Sequence, residues 1–378
     1  MPATAVYLDY NATAPLRQAA VDAMVRALRT TGNPSSVHGF GRAARRLVED
    51  ARDSVAELVG AVPAGGAAPA GVVFTSGGSE ANALALTAFG RRRILASAVE
   101  HPSVLKAVED VEILPVDSDG VIDLAALEAR LSAAEGPVTV AVMLANNETG
   151  VIQPVAEVAR IAHAHGALVH CDAVQAAGKL AIDMRRLGVD TLALSAHKLG
   201  GPQGAGALVL ADSEAEVIPL IKGGGQERRR RAGTENVPGV AGFAAAGRVA
   251  LAEMQGAARR LGVLRDRLEA EALRVAPGTV VFGAGVERLP NTSCLALAGL
   301  SAQTAVMGFD LAGVAVSAGS ACSSGKVAPS HVLAAMGAGA LAGSAVRVSL
   351  GWDSVEADVD RFIEVFARVA GQRAASAA

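Results

Sequence analysis

Cysteine is scarce in this 378-residue chain, with three, and aromatic rings make up only 3% of it. So few cysteines, and an odd number, do not make a disulfide framework. Long apolar runs are missing as well. The longest stretch, near residues 138–145, falls far short of the roughly 20 residues that cross a bilayer. The start, Met1-Pro2-Ala3-Thr4-Ala5-Val6-Tyr7, lacks a basic n-region followed by an apolar h-region, so no secretory signal is visible and the expected compartment is the cytoplasm. Neither sign of charge dominates: a net charge of −3 gives no electrostatic case for nucleic acid as the main partner. The one basic run, Arg228-Arg229-Arg230-Arg231, reads first as a solvated loop whose arginines pair with acids. Contact with an anionic ligand or an RNA partner is the alternative.

What is present is a high hydrophobic fraction, 51%, much of it alanine, in a chain long enough for a large core and two domains. Short apolar runs at 72–75, 94–96, 139–144, 167–171, 191–194 and 207–210 read as buried strands, and segments such as 80–89 and 155–165 have helical length and spacing. This alternation predicts an α/β domain with a mostly parallel sheet, whose ligands gather at the carboxyl ends of the strands. After about residue 241 the pattern changes to a long alanine-rich amphipathic stretch through Leu261, Leu264, Leu268 and Leu273. Shorter strands follow at 279–282, 293–297, 314–317 and 346–350, with a final helix near 355–369. The expected division is a large domain of residues 13–255 and a smaller α+β domain of residues 1–12 and 256–378. Residues 61–71 read as a loop and 372–378 as a frayed tail.

Two residues suggest a cofactor. Lys198, in Ser195-Ala196-His197-Lys198, follows one predicted strand, and Asp172 closes another, with Gln175 just beyond it. A lysine for a Schiff base and an acid for a pyridinium nitrogen are what a pyridoxal phosphate (PLP) site needs. The segment Thr75-Ser76-Gly77-Gly78-Ser79-Glu80-Ala81-Asn82 leaves a strand and opens a helix, so its free N–H groups suit an anion. It is neither a Walker motif nor a dinucleotide fingerprint. His101, in Val99-Glu100-His101-Pro102-Ser103, and the turn Asn146-Asn147-Glu148-Thr149-Gly150 each follow a strand and read equally as structural residues or as ligand contacts. His163, His165, His170, Cys171 and Asp172 invite a metal reading, which the geometry weakens: the first two point to different sides of a helix, and His170 and Cys171 alternate across a strand. No metal is expected. Cys322, flanked by Gly and Ser, is unlike a packed cysteine, whereas Cys171 and Cys294 sit inside apolar runs. Arg347 offers a fork for a carboxylate or a structural ion pair.

Together these segments resemble the cysteine desulfurases, the NifS/IscS-type branch of the fold-type I PLP enzymes in the class V aminotransferase family. Nine collinear motifs carry the likeness: residues 7–13, 74–82, 100–105, 146–150, Asp172-Ala173-Val174-Gln175, Ser195-Ala196-His197-Lys198, 223–227, 231–236 and Gly319-Ser320-Ala321-Cys322. The resemblance implies a large domain with a mostly parallel seven-stranded sheet, a smaller α+β domain and a homodimer. It implies that L-cysteine becomes L-alanine while Cys322 carries the sulfur as a persulfide to an acceptor protein, for iron–sulfur assembly or for tRNA or cofactor thiolation. Lys198 would hold the PLP, Asp172 its ring nitrogen and His101 its ring face. Asn147 and Gln175 would lie near the phenolic oxygen. Gly78, Ser79, Ser195 and His197 would hold the phosphate, with Thr234 reaching in from the second subunit. Arg347, with Asn11 and Asn147, would bind the substrate carboxylate. The loop at Cys322 matches the long-loop branch rather than the SufS type, and the chain stops soon after its last helix, short of the tail with which IscS-type members dock a scaffold. A selenocysteine lyase or other PLP lyase, a plain aminotransferase and a catalytically silent sulfur-relay protein are the rival readings.

Overall fold

The computed structural model describes residues 5–61, 71–318 and 328–376. Its strands are β1 (Val6–Tyr7), β2 (Gly71–Thr75), β3 (Arg93–Ser97), β4 (Val111–Leu114), β5 (Val138–Met143), β6 (Leu168–Asp172), β7 (Thr191–Ser195), β8 (Gly206–Leu210), β9 (Thr279–Val281), β10 (Thr292–Leu297), β11 (Val314–Ala315) and β12 (Ala345–Ser349). Seven of them form one sheet in the order β2-β8-β7-β6-β5-β3-β4. Only β8 runs against its neighbours; the others are mutually parallel. Strands β2, β5, β7 and β8 are buried at every residue, as expected for a sheet covered by helices on both faces. Because β2, β3, β5, β6 and β7 point the same way, Ser76, His101, Asn147, Asp172 and Lys198 all emerge along one edge.

The expected strands are present within a few residues. Strand β4 and the helices Gln18–Leu28 and Gly39–Leu58 are additions for which the sequence carried no expectation. The first is an edge strand with half-exposed side chains, so its hydrophobic signal is weak. The alanine-rich stretch is a single helix, Val237–Val275, of 39 residues. Its first half packs into the large cluster under the sheet through Val240, Phe243 and Ala250, and its second half packs into another cluster through Leu261, Leu264 and Leu268. That second cluster also takes Leu8 from the N-terminal segment, whose β1 pairs in parallel with β11. Three of the scarce aromatics, Phe309, Phe362 and Phe366, stack there, with the first two ring centroids 4.9 Å apart. The last helix, Glu356–Ser376, runs beyond residue 369 into the segment expected to fray, consistent with its alanine content. Most of the loop expected at 61–71 lies outside the described residues.

Candidate functional site

A cavity of about 450 Å³ opens over the strand edge. Of the residues expected there, it is lined by Asn11, Gly78, Ser79, His101, Asn147, Asp172, Gln175, Ser195, His197, Lys198 and Arg347. Thr234 is not brought in; it lies exposed in this single chain. Cys322 lies outside the described residues, while Ser317, on the segment leading to it, lines the cavity.

Lys198 sits in a short 3-10 turn that leaves β7. Its Nζ donates to the backbone carbonyls of Asn11 at 2.6 Å and Ala12 at 2.8 Å. Burial, and then the nearby Arg347 guanidinium, lower its pKa to about 8, with Asp9 and Asp172 opposing. A lysine so tuned has a substantial neutral fraction near physiological pH, which a nucleophilic amine requires.

Asp172 ends β6 and is held from both sides. Its Oδ1 accepts the N–H of Val174 at 2.9 Å and its Oδ2 accepts Asn82 Nδ2 at 2.7 Å. Behind it runs a relay that fixes the Asn82 amide. Burial pushes the His170 pKa down to about 3, so the ring is neutral. One nitrogen meets Thr191 Oγ1 at 2.9 Å and the other meets Asn82 Oδ1 at 3.0 Å. The amide oxygen can only accept, so His170 carries its proton on Nε2 and Asn82 turns its NH₂ toward the aspartate. His170 is thus a prop for Asp172, and His163 pairs instead with Asp190 at 2.9 Å.

His101 caps the short helix Pro102–Leu105 by accepting the N–H of Ser103 on Nδ1 at 3.1 Å. That bond places the proton of the neutral ring on Nε2. Desolvation by the cavity wall, together with Lys198 and His331, holds its pKa below the ordinary value against the pull of Asp172. Its neighbour Glu100 is fully buried: Oε1 accepts the N–H of Met143 at 2.7 Å, Oε2 has no partner among the described residues, and burial raises its pKa strongly. His331 donates to the Glu100 carbonyl at 2.9 Å and lines the cavity too.

Arg347 comes from β12. One terminal nitrogen pairs with Asp9 at 2.7 Å and the other donates to the carbonyl of Asn147 at 2.9 Å. The ion-pair reading is therefore met by Asp9, and Nε is buried without a partner among the described residues. An orphaned buried guanidinium donor is costly unless something accepts it. Asn11 is the hub between the two halves. Its backbone carbonyl accepts from Lys198 and from Gln175 Nε2 at 2.9 Å, and its side chain reaches Thr292 Oγ1 at 2.9 Å.

The Gly78–Thr87 helix begins at the edge with two glycines. A Cβ on Gly78 would stand 2.8 Å from Val174 Cγ2, so glycine keeps that backbone close to the wall below Asp172. Glu80 steadies the turn, taking the N–H of Ser76 at 2.7 Å and Arg231 at 3.0 Å. Of the arginine run, Arg230 is also tied down, to the carbonyls of Ser213 and Ala215, while Arg228 and Arg229 are exposed. Cys171 and Cys294 are buried thiols whose pKa values burial raises. Among the described residues no helix is long and apolar enough to cross a membrane.

A sequence model described as aminotransferase class-V matches residues 6–362. The chain is 44% identical to a cysteine desulfurase of Cereibacter sphaeroides, with 97% of this chain and 96% of that protein aligned. It is 39% identical to an IscS-like cysteine desulfurase of Mycobacterium tuberculosis, with 98% of each aligned. The solved structure of a NifS-like protein from Rickettsia africae superposes with a TM-score of 0.89 at 33% identity, covering 97% of this chain and 99% of that one. The chain belongs to the class-V aminotransferase family and, within it, to the cysteine desulfurases. Members of this family are PLP enzymes. The residues present fit that cofactor: a lysine with a lowered pKa, a braced aspartate and a glycine-opened helix start face one cavity.

Proposed function

We propose that the chain is a PLP-dependent cysteine desulfurase that converts L-cysteine to L-alanine and passes the sulfur, by way of Cys322, to an acceptor protein. The observation that carries this reading is the pairing, in one cavity, of the pKa-lowered Lys198 with the Arg347 guanidinium. Lys198 holds the cofactor covalently and Asp172 meets its ring nitrogen. His101 lies against the ring, and Asn147 and Gln175 lie near its phenolic oxygen. Gly78, Ser79, Ser195 and His197 receive the phosphate, with Thr234 supplied by the second copy in a homodimer. When bound, the cofactor supplies the electron sink that labilises bonds at the substrate Cα.

The chain's own residues do the rest. Arg347, which lines the cavity with Asn11 and Asn147, takes the substrate carboxylate. The neutral His101 carries a proton on Nε2, with its pKa held below the ordinary value. The Cys322 thiolate forms an S–S bond with the substrate sulfur as the C–S bond breaks, and the carbon takes up a proton. One cysteine and one protein thiol thereby give one alanine and one protein persulfide. On this reading residues 13–255 provide the cofactor cradle, residues 1–12 and 256–378 provide Arg347 and Cys322, and the enzyme works in the cytoplasm.

The test is a visible spectrum of the purified protein followed by an assay for alanine and sulfide from L-cysteine, with L-selenocysteine in parallel. The expected result is a cofactor band and equal yields of alanine and reducible sulfur. A colourless protein, or a keto acid product, overturns the proposal.

A further inference from the structure

Lys179 was not singled out from the sequence, yet its amine is tied to two residues of the site. Its Nζ donates to Gln175 Oε1 at 2.8 Å and to Asn11 Oδ1 at 3.0 Å. It forms no ion pair with an acid among the described residues, and Lys198 and Arg347 are its charged neighbours. Burial pushes its pKa well below the ordinary value, and in either protonation state its N–H groups can donate to both amide oxygens; the Asn11 backbone carbonyl, and Asn291 Nδ2 facing Asn11 Oδ1 at 3.2 Å, require the same sense of each amide. These contacts fix how both amides are turned. Gln175 must direct its NH₂ away from Lys179, and it meets the Asn11 carbonyl at 2.9 Å. The other N–H of the same amide has no protein partner among the described residues, and Gln175 lines the cavity. Asn11 must likewise direct its NH₂ toward Thr292 Oγ1, at 2.9 Å.

We propose that Lys179 is a positioning residue that sets the hydrogen-bonding polarity of the cavity, locking Gln175 so that it presents a donor, not a carbonyl, to an acceptor oxygen of the bound cofactor. The inference rests on the PLP reading above. Without Lys179 only the bond to the Asn11 carbonyl holds the amide in this sense, and an amide that turns its carbonyl toward an anionic phenolic oxygen repels it. A donor to that oxygen favours its anionic form, so losing the donor moves the pH titration of the cofactor's visible band to higher pH.

The experiment measures that midpoint for holoenzyme carrying Lys179→Met, Gln175→Met, both substitutions, or Lys179→Arg. Each single loss is expected to raise the midpoint by about one pH unit, the scale of one hydrogen bond to a charged group. The double variant is expected to move no further than Gln175→Met alone, and Lys179→Arg, which keeps donors only, to return close to the wild-type midpoint. Cofactor dissociation constants, read by absorbance after dialysis, should rise in the same order. An unchanged midpoint in Lys179→Met, or a double variant that shifts twice as far, overturns the proposal, since Lys179 would then not act through Gln175. Should Lys179→Met not fold, Lys179→Leu, which likewise has no donor, carries the same expectation. Wild-type protein that forms no band with pyridoxal phosphate would instead sink the cofactor reading itself.

Discussion

Glu227 offers a sharp stability test, because it ties the start of the cofactor cradle to the helical layer. It is buried in a turn where Glu227, Arg228 and Arg229 have φ of 45°, 55° and 67°. Three successive non-glycine residues in the left-handed region each cost about 1–2 kcal/mol, so the turn needs an anchor. The anchor is the carboxylate of Glu227. It takes both terminal nitrogens of Arg52, at 2.8 and 3.1 Å, and the N–H of Phe74 at 2.9 Å, two residues before Ser76. Arg52 also donates to the carbonyl of Val72. Removing Arg52 leaves the Glu227 charge buried and uncompensated, and removing Glu227 leaves Arg52 only its half-exposed partner Glu49, at 3.1 Å, so the loss is about 3–5 kcal/mol. Glu227→Ala and Arg52→Ala should therefore each destabilise by that amount. The double variant should not lose the sum. It removes both charges and leaves the Phe74 N–H and the Val72 carbonyl unsatisfied, at about 1–3 kcal/mol each. The expected total is close to that of either single change, with a coupling of about 3 kcal/mol. Urea unfolding of the four cofactor-free proteins measures it. Additive losses, or single losses under about 1 kcal/mol, would refute the reasoning.

Loading of pyridoxal phosphate onto cofactor-free protein should follow the neutral fraction of Lys198, whose pKa is lowered to about 8. The rate should fall about tenfold per pH unit below that value and level off above it, in stopped-flow absorbance. Cys322→Ser should abolish alanine production while leaving the visible band intact, and full turnover by that variant would contradict the sulfur-transfer reading. Arg347→Gln removes the guanidinium and the ion pair with Asp9, so kcat/KM for L-cysteine should drop roughly 30-fold or more, about 2 kcal/mol, mostly through KM. Gly78→Ala puts a methyl 2.8 Å from Val174 Cγ2 and should weaken cofactor retention about tenfold, or about 1.4 kcal/mol, with partial recovery in Gly78→Ala/Val174→Ala.

The sheet was legible because its strands are apolar from end to end, and the site followed because parallel strands deliver their last residues to one edge. Lys198 and Asp172 needed little more, whereas His101 and Asn147 were given their roles by the resemblance alone. The rest of the site is held by atoms that sequence does not display. Lys198 is met by two backbone carbonyls, and no residue type announces a carbonyl. His170 stood in a histidine cluster whose metal reading the strand alternation already weakened, but its role as a neutral relay to Asn82 depends on contacts inside the strand layer that sequence does not display. Lys179 carried a faint signal, four residues beyond Gln175, but its meaning depends on a turn that periodicity does not describe. Arg347 was read as either a carboxylate fork or an ion-pair partner, and sequence could not choose because one guanidinium has five donors: Asp9 takes one terminal nitrogen and the Asn147 carbonyl the other.

The helix Val237–Val275 has a consequence for how such a chain can change. It is about 58 Å long at 1.5 Å per residue, and it enters one apolar cluster before it leaves the other. Lys198 sits beside the first and Arg347 beside the second, so an unbroken rod links the supports of the two halves of the pocket. One residue inserted between Met254 and Leu261 would advance everything downstream by about 1.5 Å and turn it by about 100°. Leu261, Leu264 and Leu268 would then face water. Single replacements along this stretch are cheap wherever the side chain is exposed, whereas a change of length is not, and the segment behaves as a ruler whose graduations are helical turns.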